Sequence, residues 1–137
     1  MKVLLLGLGR ANLAVAQYLL ARNEEVFLCE ERPETLSEPA RNLLKAGKIK
    51  NFENRTYDLV ISSPGFPENK EIINNLKVKN IPIIDEIEWT YEHLVKPKII
   101  AVTGTNGKST TASLIAHILT SAGLKNFLGG NIAPGRP

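Results

Sequence analysis

The stretch Lys98-Ile99-Ile100-Ala101-Val102-Thr103-Gly104-Thr105-Asn106-Gly107-Lys108-Ser109-Thr110-Thr111 joins an apolar run, a loop with two spaced glycines and a Lys-Ser-Thr triplet that opens a helical pattern. A strand that feeds a glycine loop and then a helix start is a cradle for phosphate. Glycine lets the backbone come close to an anion, and the first helical N–H groups have no partner within the helix. In such a cradle Lys108 reaches a terminal phosphate, and the hydroxyl of Ser109 or Thr110 ligates the accompanying Mg²⁺. The general pattern Gly-x-x-x-x-Gly-Lys-[Ser/Thr] asks for glycine where this chain has Val102, so the loop is a shortened relative of the common P-loop. The bland alternative is a surface helix behind an ordinary turn.

Beyond the loop, Leu114, Ile115, Ile118, Leu119 and Ala122 fall at helical spacing, and Gly123 supplies a stop. Residues 125–128 read as a further strand, followed by Gly129-Gly130-Asn131-Ile132. Two strands and a helix cannot cover a sheet, so this segment reads as the opening of a second domain.

The first part of the chain alternates strands with helices, the signature of a parallel α/β sheet. Strands are expected at 2–6, 26–29, 49–52, 58–61 and 81–84, with Pro82 placing the last at an edge. Helices are expected at 13–22, from 38 or 39 to 45 with Gly47 as stop, at 69–79, and from Asp85 to about His93. Asp85 with Glu88 three residues later has the form of a capping box. The domain boundary is placed at Leu94-Val95-Lys96-Pro97, giving domains at 1–94 and 95–137.

Gly7-Leu8-Gly9-Arg10-Ala11-Asn12 follows the first strand and opens the first helix, and Glu30 lies 21 positions after Gly9. That nearly reproduces the dinucleotide fingerprint, with its acidic ligand for a ribose hydroxyl, but Asn12 stands where the third glycine belongs. Glu30 and Glu31 either read a ligand's base or sugar or are simply solvated. Ser62-Ser63-Pro64-Gly65 sits at the carboxyl end of a strand, where open α/β sheets bind ligands, or is a plain turn.

The chain has 137 residues, 43% of them hydrophobic, enough for a core, and a net charge of +3 without a dense basic run. A nucleic-acid platform is therefore unsupported. The single Cys29 excludes an intrachain disulfide and suits a reducing compartment. The apolar start at Val3–Leu6 is broken by Gly7, Gly9 and Arg10, so a cytoplasmic strand is preferred to a signal peptide or a membrane span. His93 and His117 lie far apart without Cys or carboxylate at metal spacing, so no zinc site is expected. Trp89 and Tyr91 read as packing residues.

These motifs in this order resemble the Mur ligases, which build the peptide of bacterial cell-wall precursors. The markers are Gly7-Leu8-Gly9, Ser63-Pro64-Gly65, Thr103-Gly104-Thr105-Asn106-Gly107-Lys108-Ser109-Thr110 and Gly129-Gly130-Asn131-Ile132. The first and last point to the D-glutamate-adding branch. The resemblance implies a Rossmann-like parallel-sheet domain followed by the start of a P-loop-type ATPase domain. It further implies an ATP-dependent amide ligase joining D-glutamate to UDP-N-acetylmuramoyl-L-alanine through an acyl phosphate, acting in the cytoplasm as a monomer. By resemblance, Gly104, Thr105, Asn106, Gly107, Lys108, Ser109, Thr110 and Thr111 hold ATP, with Lys108 on the transferring phosphate and Ser109 on Mg²⁺. Gly9, Arg10 and Ala11 lie along the UDP diphosphate, Glu30 and Glu31 approach uracil or its ribose, and Ser63, Pro64, Gly65 and Asn131 line the muramoyl end. The family's remaining metal ligands and its third domain have no counterpart here, so the chain is expected to bind the UDP precursor but not to turn over alone. Its rivals are an NAD(P)-binding oxidoreductase domain, a small P-loop kinase, and a non-catalytic UDP-sugar-binding module.

Overall fold

The computed structural model describes residues 1–67, 71–93 and 98–130. The chain divides into two compact units, Met1–Pro97 and Lys98–Pro137, each described separately below.

The first unit is built on β1 (Lys2–Leu6), whose Val3, Leu4, Leu5 and Leu6 have no exposed surface. Successive strand side chains point to opposite faces, so a run without alternation requires cover on both sides. Val3 and Leu5 pack with Val15, Ala16, Leu19, Ala40 and Trp89, which come from α1 (Arg10–Leu20), α2 (Glu38–Lys45) and α4 (Glu86–His93). Leu4 and Leu6 pack on the other face with Tyr57, Phe66 and the Ile73 and Leu76 of α3 (Glu71–Val78).

Beside β1 lie β2 (Glu25–Cys29), β3 (Ile49–Asn51), β4 (Leu59–Ser62) and β5 (Ile83–Asp85). The order is β3-β2-β1-β4-β5, and every neighbouring pair is parallel. The chain first winds outward over one face through α1 and α2. It then returns past β1 and winds the other way through α3. A switch point therefore opens between β1 and β4, where sheets of this kind bind ligands. β5 is an edge strand, in line with Pro82 directly before it, since proline has no N–H to give to a ladder.

Helices α1, α2 and α3 end alike. Asn23, Gly47 and Asn80 take positive φ (58°, 66° and 54°), and paired bonds such as Asn23 N–H to Leu20 O and Glu24 N–H to Leu19 O close each end. Asparagine tolerates this left-handed turn better than most residues, which is why a glycine search alone finds only one of the three. At the other end of α4, Asp85 Oδ1 accepts the Glu88 amide at 2.7 Å, the expected cap.

Three expectations are corrected. Helix α1 begins at Arg10 rather than Leu13, because Asn12 already sits in its first turn, bonded down to the sheet. In the second unit, α5 (Lys108–Ser121) forms, but neither 98–102 nor 125–128 is a strand among the described residues. A strand exists only with a neighbour to exchange hydrogen bonds, and Ile99, Ile100 and Phe127 remain 60%, 61% and 94% exposed. The helical stripe of α5 is likewise not buried, with Leu114 and Ile118 exposed. The expected start of α3 at Asn69 lies outside the described residues.

Because Leu5 is fully enclosed in the central strand, Leu5→Ala is expected to destabilise the first unit by about 2–5 kcal/mol, read as a lowered urea midpoint.

Candidate functional site

At the switch point, the turn after β1, the segment after β2 and the loop after β4 surround a cleft of ≈ 280 Å³. Of the residues singled out in the sequence, Gly9, Glu30, Glu31, Ser63 and Gly65 line it. Arg10, Ala11 and Pro64 belong to the same segments but do not line the cleft; all three are exposed. Sequence reasoning passed over Arg32, Thr35 and Phe66, which also face it. The available signal was Arg32 itself, a cation directly after the acidic pair at a strand end.

The turn is held tightly. Gly7 has φ +77°, its N–H donates to Cys29 O at 2.9 Å, and a Cβ there would lie 3.4 Å from Ser63 Cβ. The left-handed backbone is what favours glycine here, since the Ser63 contact is an ordinary van der Waals distance. A Cβ on Gly9 would lie 3.7 Å from Ser63 Oγ, so the β4 loop leans over the turn. The Ser63 amide in turn donates to Leu6 O at 2.9 Å, tying the end of β4 to the end of β1.

Glu30 is neither free nor merely solvated. Its Oε2 accepts the Leu8 amide at 3.0 Å, and its Oε1 accepts the amides of Glu31 and Arg32 at 2.9 and 3.1 Å. Asn12, at 1% exposure, donates from Nδ2 to Gly7 O at 2.8 Å and Leu6 O at 3.3 Å, with Ile61 O at 3.5 Å. Its Oδ1 is buried without a partner.

The second glycine loop is built by local forces. Gly104 (φ +148°) and Gly107 (φ +76°) bend the chain, and Gly107 is the N-cap of α5 with no side-chain cap. Residues 105–107 are bends that run directly into the helix. The Lys108 ammonium donates to Gly104 O at 2.6 Å and Thr105 O at 3.3 Å, folding the side chain back over its own loop. Thr111 N–H reaches Gly107 O at 2.9 Å, leaving the amides of Lys108, Ser109 and Thr110 as the uncapped first N–H groups of the helix. Ser109 and Thr110 are exposed beside them. Asn131 lies outside the described residues.

Among the described residues no group of three or more His, Cys, Asp or Glu side chains is placed to hold a metal. A single hydroxyl such as Ser109 suits Mg²⁺ all the same. That ion keeps several waters and is held by one or two protein oxygens together with phosphate oxygens. No helix among the described residues is long and apolar enough to cross a membrane. Trp89 packs as expected, edge-on to Tyr18 at 5.3 Å, whereas Tyr91 is exposed.

Residues 102–134 match the Mur ligase middle domain. Over 96% of its length the chain is 38% identical to the UDP-N-acetylmuramoylalanine–D-glutamate ligase of Pasteurella multocida and 36% identical to that of Pelotomaculum thermopropionicum. It spans 31% and 30% of those proteins, respectively. Among solved structures it resembles the UDP-N-acetylmuramate–alanine ligase of Thermotoga maritima, at a TM-score of 0.56 and 29% identity, covering 96% of this chain and 32% of that one. A murein peptide ligase from Psychrobacter arcticus shares the fold at a TM-score of 0.58 and 20% identity, covering 99% of this chain and 35% of that one.

The two glycines of the first turn should respond differently to a methyl group. Gly7→Ala is expected to destabilise by about 1–2 kcal/mol, from its left-handed backbone. Gly9→Ala, with extended backbone (φ −67°), gives up only glycine's preference over alanine at the N-cap of α1 and should cost less than Gly7→Ala, about 0.5 kcal/mol. Thermal unfolding of both variants checks the contrast.

Proposed function

We propose, from the premise that the chain belongs to the Mur ligase family, that it carries the UDP-precursor cleft and the ATP loop of a ligase that adds D-glutamate to UDP-N-acetylmuramoyl-L-alanine. The observation that carries this reading is the loop Gly104–Gly107 turning into α5, with no side-chain cap and a lysine that among the described residues bonds its own loop carbonyls. An anion arriving at that helix start meets unpaired N–H groups and the positive end of the helix dipole. Because the chain spans 30% of the length of the relatives it matches, turnover is proposed for the whole ligase and ligand binding for this chain.

In the proposed reaction a carboxylate oxygen of the precursor's L-alanine attacks the γ-phosphorus of ATP, and ADP leaves with the electron pair of the broken bond. The amine of D-glutamate then attacks the acyl carbon, loses a proton and expels phosphate, leaving an amide. Lys108 would exchange the carbonyls of Gly104 and Thr105 for the transferring phosphate. Such catalysis is mostly positioning and charge neutralisation. Ser109 would hold Mg²⁺, which when bound offsets the phosphate charge.

In the first unit the precursor's diphosphate would lie at the start of α1 beside Gly9, Arg10 and Ala11. Glu30 and Glu31 would face the uridine side, and Ser63, Pro64 and Gly65 the muramoyl side. The reaction is assigned to the cytoplasm, without nucleic acid or a membrane as partner. The oxidoreductase alternative accounts for the first glycine turn but leaves the Lys108-Ser109-Thr110 triplet unexplained. A non-catalytic UDP-sugar module would leave the Lys108 loop without a purpose.

Isothermal titration of the chain with UDP-N-acetylmuramoyl-L-alanine, NADH and Mg·ATP tests the assignment. The precursor and Mg·ATP should bind, and NADH should not. Lys108→Ala should weaken Mg·ATP about 10–100-fold, the worth of a charge-assisted hydrogen bond, while sparing the precursor. Equal loss of both ligands would overturn the division into two pockets.

A further inference from the structure

We draw no further inference here: the strongest candidate, the exposed apolar face of the second unit made by Leu114 and Ile118 of α5 and by Leu124 and Phe127 after it, carries nothing because nothing in the structure shows what covers it.

Discussion

The carbonyl of Leu6 is the fixed point of the ligand edge. It terminates a strand sealed on both faces, and it accepts the Ser63 amide at 2.9 Å and Asn12 Nδ2 at 3.3 Å. The first bond brings the β4 loop over the glycine turn, and the second plants the first turn of α1 on the sheet. Because Val3 to Leu6 cannot shift without exposing apolar surface, both attachments inherit the rigidity of the core. The cleft is therefore a by-product of how the sheet is closed, rather than a loop arrangement added to it.

The two glycine loops are held by different means. The turn at Gly7–Gly9 is held by Cys29, Glu30, Asn12 and Ser63, all distant or from other elements. The loop at Gly104–Gly107 is shaped by two positive φ angles and by a lysine that returns to its own carbonyls four and three residues back. A site framed by the core suits a ligand that must be placed to a fraction of an ångström. A locally folded loop has no such brace from the sheet.

The parallel sheet was legible because its strands carry unalternated apolar runs and its helices carry capping and stop residues. Asp85, Gly47 and Gly123 acted as read, and Pro82 correctly marked an edge. Asn23 and Asn80 were invisible as helix stops, since asparagine in a sequence signals many things besides a left-handed turn. The runs at 98–102 and 125–128 were read as strands from composition, but strand formation is a pairing property, and no partner lies beside them among the described residues. In the cleft, Gly9, Glu30, Glu31, Ser63 and Gly65 were found by their positions at strand ends, whereas Thr35 and Phe66 enter it only through the path of the backbone.

By itself, then, the amino-acid order determined the class of fold, the direction of every strand in the first unit, the two glycine loops and the family to which the chain belongs. Each of these follows from periodicity, caps or short motifs, which act over a few residues. Only the tertiary structure showed which backbone groups Asn12 and Glu30 hold. One stands where a fingerprint has its third glycine, and the other follows the end of a strand. Their roles depend on carbonyls and amides that meet from β1, β2 and β4, and hydrogen bonds between residues as far apart as Asn12 and Ile61 leave no local trace in the order of residues.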